Sequence, residues 1–173
     1  MSEIRVDAIK TRAGAVPKAG DLGLNITGNV LQVIQGITST TVTQTSTSFA
    51  DTGLTASITP SSSSNKIFVM INQGYRLNDT TYYAGASIKI LRGTTTIYYA
   101  PSGTAEYFPY YESPQGSSNN VNVYNYFPLN YLDSPSTTSE VTYKTQQRSY
   151  GGASISTQNG GVRSTIILME ISG

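Results

Sequence analysis

Residues 66–71 constrain the fold more than any other part of the chain, because this segment is apolar on both sides of a strand. Its large side chains alternate between the two sides, three on one and two on the other: Ile67, Val69 and Ile71, then Phe68 and Met70. Such a strand is typical of the middle of a sheet that is covered on both faces. The preceding residues 54–58 alternate like a half-buried strand, and Pro60 with four serines predicts a turn between the two.

The rest of the chain from residue 29 onward also predicts short strands separated by polar turns. These strands are residues 30–37, 83–91, 96–100, 119–126, 140–149, 153–157 and 163–171, while residues 38–48 suit either a strand or a loop. The last strand is again apolar on both faces, and we expect it to form a closing hairpin with residues 153–157. Helical periodicity is nearly absent. Residues 29–173 are therefore predicted to form an all-β domain, an antiparallel β-sandwich or jelly roll.

The first 28 residues have a different character, since they carry seven of the 21 charges of the chain. Glycines and a proline interrupt any long element, and the segment has too little apolar surface to fold alone. Two interpretations remain open. The segment is either an extended N-terminal arm that docks onto a larger assembly, with Ile4, Val6 and Ile9 as the candidate docking residues, or a loose terminus.

The charge and the apolar content of the chain argue against two classes of function, nucleic-acid binding and membrane insertion. The chain has a net charge of +1 and no basic stripe, so binding to nucleic acid, which requires many neutralised phosphates, is not expected. No apolar run approaches the roughly 18 residues that span a bilayer, and the N-terminus lacks the apolar segment of a signal peptide. We therefore expect no membrane insertion.

The chain contains neither histidine nor cysteine, which removes the commonest general base and most zinc ligands. Glu106 and Glu112 flank one loop, and a glycosidase needs two carboxylates about 5 to 10 Å apart in a sugar-binding cleft. Proximity in sequence does not supply that cleft. We expect no enzyme activity, no catalytic residues, no metal and no cofactor.

Tyrosine is the best candidate for recognition, because it offers a rigid surface with a hydrogen-bonding tip. Five tyrosines fall in or near the predicted loop of residues 101–116, which we expect at the end of the domain far from the arm: Tyr107, Tyr110, Tyr111, Tyr124 and Tyr126. These rings would suit stacking against a glycan. The alternative is that they pack in the core of the domain or between subunits.

Three stretches of the sequence resemble a family of bacteriophage virion proteins, the short tail-fibre or head-appendage proteins. They are TSTSFADTGLTASITPSSSSNKIFVMI, YLDSPSTTSEVTYKTQ and the final STIILMEI, within a match that spans roughly residues 36–171. The opening IRVDAIKTRAG is similar to the segment with which such fibres begin. These are strand and turn phrases, so they point to a family and not to a chemistry.

The resemblance implies a trimeric β-rich knob, similar to the jelly rolls of the tumour-necrosis-factor and complement-globular-head class. Such a knob is mounted on the particle through residues 1–28, which would contact capsid or tail proteins. The implied location is the virion, assembled in the cytoplasm of the host bacterium. The second apolar face of residues 66–71 would be covered by loops of the opposing sheet in a monomer or by self-association around an axis, and we expect the homotrimer.

Competing functions follow from what the chain lacks and from its tyrosines. It has no long shaft, so capsid decoration, which stabilises the head without binding a receptor, competes with a knob that contacts host-surface glycan. A free carbohydrate-binding module would bind sugar as a monomer without residues 1–28. A small depolymerase would lose its activity in Glu106→Gln or Glu112→Gln.

Overall fold

The computed structural model describes residues 27–79, 83–100, 110–112, 121–150 and 153–173. These residues form eleven strands: β1 (Val30–Thr38), β2 (Val42–Gln44), β3 (Ala50–Ile58), β4 (Lys66–Asp79), β5 (Tyr83–Arg92), β6 (Thr95–Ala100), β7 (Tyr110–Glu112), β8 (Val121–Asp133), β9 (Val141–Tyr150), β10 (Ser154–Thr157) and β11 (Ser164–Ile171). The helical element in the described part of the chain is a single 3-10 turn, Asn159–Gly161. No helix in these ranges is long and apolar enough to cross a membrane.

The strands form two antiparallel sheets. In the first sheet the order is β1-β11-β4-β10-β2, and β8 lies along the other edge of β4. In the second sheet the order is β3-β9-β5-β6, and β7 also pairs with β5. Strand β4 is long enough to take two partners on one edge, because β11 pairs with its first half and β10 with its second half.

The pairing of the long strands is nested, as in a jelly roll. The outermost pair joins β1 to β11, the next joins β3 to β9, the third joins β4 to β8, and the innermost joins β5 to β6. The two sheets pack face to face around one hydrophobic core. The predicted all-β antiparallel sandwich is therefore confirmed, with the strand order of a jelly roll.

The core is built from the side chains that alternate inward along each strand. The largest fully buried aliphatic residues come from both sheets: Leu54, Ile67, Leu77, Ile88, Ile90, Ile155, Ile166 and Leu168. Burying one such side chain contributes about 1.5–3 kcal/mol. The predicted inward face of residues 54–58 is confirmed, since Leu54, Ala56 and Ile58 all lie in this core.

A buried carboxylate fixes the serine-rich turn at one end of the sandwich. Glu170 follows Ile166 and Leu168 on the inward face of β11, although the sequence alone predicted only apolar faces there. Its Oε1 accepts hydrogen bonds from the Ser61 backbone amide at 2.6 Å, from the Ser61 hydroxyl at 2.7 Å and from the Asn65 side-chain amide at 2.5 Å. Burial by itself raises the pKa of Glu170, but hydrogen bonds from Asn65, Gln32 and Ser61 outweigh it, so the pKa is lowered.

A second polar cluster joins the two sheets at the same end. The buried Asp133 of β8 accepts from the Arg92 guanidinium at 2.9 Å and from the Tyr143 hydroxyl at 2.7 Å. Burial, followed by the hydrogen bond to Asp133, raises the pKa of the Tyr143 hydroxyl well above its ordinary value. This cluster ties β8 to β5 and β9, which belong to the opposite sheet.

The predicted closing hairpin is wrong. Strands β10 and β11 do not pair with each other, because each pairs with a different half of β4. The turn between them begins at Gln158, whose φ of 53° is left-handed and whose amide donates to the Gly74 carbonyl at 2.9 Å. This hydrogen bond lies between the part of β4 that pairs with β11 and the part that pairs with β10.

Two other boundaries differ from the sequence prediction. Strand β8 continues through Pro128, which a central strand would not tolerate. Among the described strands β8 pairs with β4 alone, so the missing N–H of proline faces the open edge. Strand β7 lies inside the residues 101–116 that were predicted to be loop, because Tyr110 to Glu112 pair with the start of β5.

Candidate functional site

The outer face of the first sheet is not covered by the described part of the chain. Paired residues of neighbouring strands point to the same side, so the register shows which side chains share this face. Seven apolar residues do so on four adjacent strands, and we call them the apolar patch: Val33, Ile37, Phe68, Met70, Leu132, Ile167 and Met169. The expectation that both faces of residues 66–71 are covered is met for the inner face only.

The apolar patch is accessible to solvent in the single chain. Ile37 is 56% exposed and Met70 is 36% exposed, whereas Ile67 and Val69 on the inner face of the same sheet are fully buried. A depression of about 230 Å³ lies in the patch between β8 and β11, lined by residues that include Met70, Pro128 and Ile167. Single folded chains rarely expose large contiguous apolar patches to water.

A groove lined by tyrosine lies on the same face, towards the other end of β4. It has a volume of about 210 Å³ and is lined by Tyr75, Tyr124, Asn125, Tyr126, Asn159 and Val162, which we call the tyrosine groove. Tyr124 is 64% exposed and Tyr126 is 45% exposed. Neither ring therefore packs in the core of the chain. Tyr75, in contrast, is buried against Phe127 with ring centroids 4.5 Å apart, and burial raises its pKa.

The absence of a side chain at Gly74 shapes the tyrosine groove. A Cβ at this position would lie 2.7 Å from Val162 Cγ1 and 3.3 Å from Tyr126 Cε1. The turn that carries Val162 can therefore rest on the sheet only because position 74 is glycine. The hydrogen bond from Gln158 to the Gly74 carbonyl holds that turn in place.

The open end of the groove is polar. The Arg76 guanidinium lies 5.9 Å from the Tyr124 ring centroid, within the range of a cation–π contact. Arg76 also donates to Asn122 Oδ1 at 2.8 Å through Nε, and Asn78 donates to the same oxygen at 2.9 Å. These bonds fix the orientation of the arginine beside the ring. The arrangement combines an aromatic face with amide and guanidinium donors.

The structure places the described tyrosines of the predicted recognition surface on two different sheets. Tyr124 and Tyr126 lie on β8 of the first sheet, whereas Tyr110 and Tyr111 lie on β7, which belongs to the second sheet. Tyr110 and Tyr111 are therefore on a different sheet from Tyr124 and Tyr126. Tyr107 lies outside the described residues, as do Ile4, Val6 and Ile9 of the predicted docking arm.

Three acids in the described ranges, Asp51, Asp133 and Glu170, have structural partners. Asp133 and Glu170 are buried in the clusters described above, and Asp51 accepts from Lys144 at 2.8 Å. That hydrogen bond lowers the pKa of Asp51. Among the described residues there is no group of three or more His, Cys, Asp or Glu side chains that could hold a metal ion. Glu106 lies outside these residues, and Glu112 lies on β7.

Part of the apolar patch was missed in the sequence. Val33 and Ile37 share the outer face of β1, and Leu132 continues the patch on β8 beyond the predicted end of that strand. A signal for β1 exists, because the predicted strand of residues 30–37 carries apolar side chains on both faces, as residues 66–71 do. Leu132 was missed because Pro128 indicated that the strand ends before it.

Comparisons with known proteins do not identify a family for this chain. No protein-family model matches the chain, and no curated protein sequence matches it. Among solved structures, the chain is similar to dimeric latent PorU from Porphyromonas gingivalis, with 8% sequence identity and a TM-score of 0.34. That similarity covers 85% of this chain and 14% of PorU. A likeness at this level carries no argument about function.

Proposed function

We propose that this protein is a structural component of a phage virion, a short trimeric knob attached to the particle through residues 1–28. The observation that carries the proposal is the apolar patch across four strands of one sheet of a jelly roll. The sequence phrases that resemble phage fibre and appendage proteins give the context. A monomer would leave this patch in water, whereas three copies around an axis would cover it.

The apolar patch by itself is smaller than a stable interface. Four strands spaced about 4.8 Å apart make the patch about 15 Å wide, and each strand contributes only one or two residues to it. A stable interface buries about 800 Å² on each partner. The interface of the trimer would therefore extend beyond the apolar patch.

The direction of β1 supports attachment at one end of the knob. Residue 27 enters beside the end of β11, where the Gly28 amide donates to the Ser172 carbonyl at 2.9 Å. In a trimer with a parallel threefold axis, three such arms would leave from the same end. The end of β4, the end of β6 and the start of β8 lie towards the opposite end, which would point away from the particle.

The tyrosine groove favours a contact with glycan as a second element of the proposal. An exposed ring such as Tyr124 provides a stacking surface for a sugar, and Asn125 and Asn159 provide amide groups beside it. If the protein only decorates the capsid, this groove has no ligand on the host. The same groove would serve a free carbohydrate-binding module, which would work as a monomer.

Sedimentation of the full chain tests the trimer. We expect a trimer at micromolar concentration, and we expect Met70→Lys to give a folded monomer because it places a charge in the centre of the apolar patch. The matched control is Thr96→Lys, which adds the same charge at an exposed position of β6 in the second sheet. This control should remain a trimer. A wild-type chain that sediments as a stable monomer would refute the proposal.

A further inference from the structure

Arg76 carries a positive charge beside the tyrosine groove, and no acid of the described residues forms an ion pair with it. Its side chain is partly exposed on the outer face of the first sheet. The ion pairs in the described ranges join other residues, namely Arg92 with Asp133 and Lys144 with Asp51. The charge of Arg76 is therefore open to an anion from outside the chain.

The partners of Arg76 are a neutral amide and an aromatic ring. Nε and Nη2 both donate to Asn122 Oδ1, at 2.8 and 2.5 Å, and the guanidinium carbon lies 5.9 Å from the centroid of the Tyr124 ring. Asn78 donates to the same Asn122 oxygen at 2.9 Å, so that amide is itself held in position. These contacts fix the guanidinium beside the ring without neutralising its charge.

The hydrogen bonds to Asn122 use only one edge of the guanidinium group, the edge formed by Nε and Nη2. Arginine carries further N–H groups on Nη1 and Nη2. In the described part of the chain these groups donate to no other residue. They form the terminal edge of the fork, whose parallel donors match the paired oxygens of a carboxylate or a sulfate.

The surface around Arg76 suits a sugar. Arg76 belongs to a row across the sheet with Tyr124 on one side and Ser156, followed by Thr43, on the other. The hydroxyls of Ser156 and Thr43 bond to each other at 2.8 Å. An aromatic ring thus lies on one side of the cation and hydroxyl groups on the other. A sugar, which has an apolar ring face and a rim of hydroxyls, can contact both.

We propose that the tyrosine groove binds an acidic saccharide, whose ring lies on Tyr124 and whose acid group pairs with the terminal edge of Arg76. This inference rests on the glycan contact proposed above and adds the class of sugar. The 5.9 Å between the guanidinium carbon and the ring centroid is comparable to the width of one pyranose ring, so one sugar unit reaches both. A single cation matches a single acid group and is too little for a polyphosphate backbone.

Saturation-transfer NMR with the full chain tests this site by comparing sodium glucuronate with glucose at constant ionic strength. The two sugars differ at C6, which is a carboxylate in glucuronate and an alcohol in glucose. We expect a dissociation constant in the millimolar range for glucuronate and about tenfold weaker binding of glucose, which lacks the charge-assisted contact. Arg76→Gln should bind both sugars at the level of glucose. Unchanged binding of glucose by this variant shows that the groove is still folded.

The matched control is Lys66→Gln. It removes one positive charge from an exposed position at the other end of β4, about 30 Å away along the strand. This variant should keep the tenfold preference for glucuronate. A preference that survives Arg76→Gln, or one that Lys66→Gln removes, would overturn the assignment to Arg76.

Failure of this inference is distinguishable from failure of the proposed glycan contact. Equal binding of the two sugars, with both weakened by Tyr124→Ala, overturns the acidic saccharide and leaves the groove as a site for neutral glycan. Absence of saturable binding by either sugar overturns both proposals.

Two further ligands test the chemistry of the site. Sodium acetate should bind at least tenfold more weakly than glucuronate, because it has no ring to lie on Tyr124. Equal binding of acetate would overturn the saccharide in favour of a simple carboxylate, such as that of an acidic peptide. Glucose 6-sulfate distinguishes the acid group: binding as tight as that of glucuronate admits both groups, weaker binding restricts the site to sugar carboxylates, and either result upholds the acidic saccharide.

Discussion

Replacement of Glu170 by glutamine should destabilise the sandwich, because it turns one oxygen of a buried carboxylate into an amide nitrogen. Oε1 accepts three hydrogen bonds from the serine-rich turn, so the new amide will keep its oxygen there. Its nitrogen then occupies the position of Oε2, where it faces the Gln32 Nε2 donor at 2.5 Å. Gln32 cannot simply turn its amide, since the same nitrogen donates to the Thr59 carbonyl at 2.8 Å.

The size of the effect follows from these contacts. One hydrogen bond to a charged group is lost, which costs about 1.5–3 kcal/mol, and the remaining bonds become neutral and weaker. Part of this loss is offset because the neutral side chain no longer carries the desolvation penalty of a buried charge. We therefore expect a loss of about 2 kcal/mol in the free energy of unfolding, or about 4–8 °C in melting temperature for a chain of this size.

The effect should also depend on pH. The pKa of Glu170 is lower in the folded state than its ordinary value of 4.5, so the unfolded state binds the proton first as pH falls. The stabilisation by the carboxylate is complete above about pH 4.5 and is lost as pH falls through the folded-state pKa. The difference between wild type and Glu170→Gln should therefore be large at pH 7 and shrink below pH 4.5.

Urea denaturation at pH 7, 5 and 3.5 measures this difference. Glu140→Gln is the control, because Glu140 is exposed in the connection between β8 and β9 and its replacement should leave stability within about 0.5 kcal/mol. If Glu170→Gln is as stable as the wild type at pH 7, the hydrogen bonds to the carboxylate do not stabilise the turn. A loss that is the same at all three pH values would refute the assignment of the effect to the charge.

Two further predictions concern attachment and recognition. Deletion of residues 1–26 should leave the melting temperature within a few degrees of the full chain, as measured by calorimetry, because this segment carries many charges and few large apolar side chains; a loss of tens of degrees would place this segment in the core. Replacement of Tyr124 and Tyr126 together by alanine should abolish adsorption of the particle to cells and leave the melting curve unchanged, because both rings are exposed in the chain. Normal adsorption with an intact fold would instead favour capsid decoration.

Local alternation predicted the strands and the inner face well, because both depend on neighbouring residues. Leu54 and Ile58, or Ile67 and Val69, show their common side within a few positions of sequence, and the structure buries them together. Local alternation does not predict which strands pair with each other. Strand β10 is adjacent in sequence to β11, yet it pairs with β4 and β2, and no local pattern records that β4 is long enough for two partners.

The candidate sites were only partly visible in the sequence for the same reason. Tyr124 and Tyr126 alternate with inward residues on β8, so their exposure follows from the pattern once the strand is known. The contact between Gly74 and Val162, in contrast, joins residues that are 88 positions apart and depends on the turn at Gln158.

The position of β1 determines how the domain would respond to mechanical load. Among the described strands it lies at the edge of its sheet, and it runs antiparallel to β11 over pairs from Val30 with Ile171 to Thr38 with Ser164. The hydrogen bonds of such a pair are perpendicular to the strands. A pull on residue 27 along the strand axis therefore shears all these bonds at the same time, whereas a sideways pull opens them one after another. The domain would therefore resist a pull on residue 27 best when the force is directed along the axis of β1.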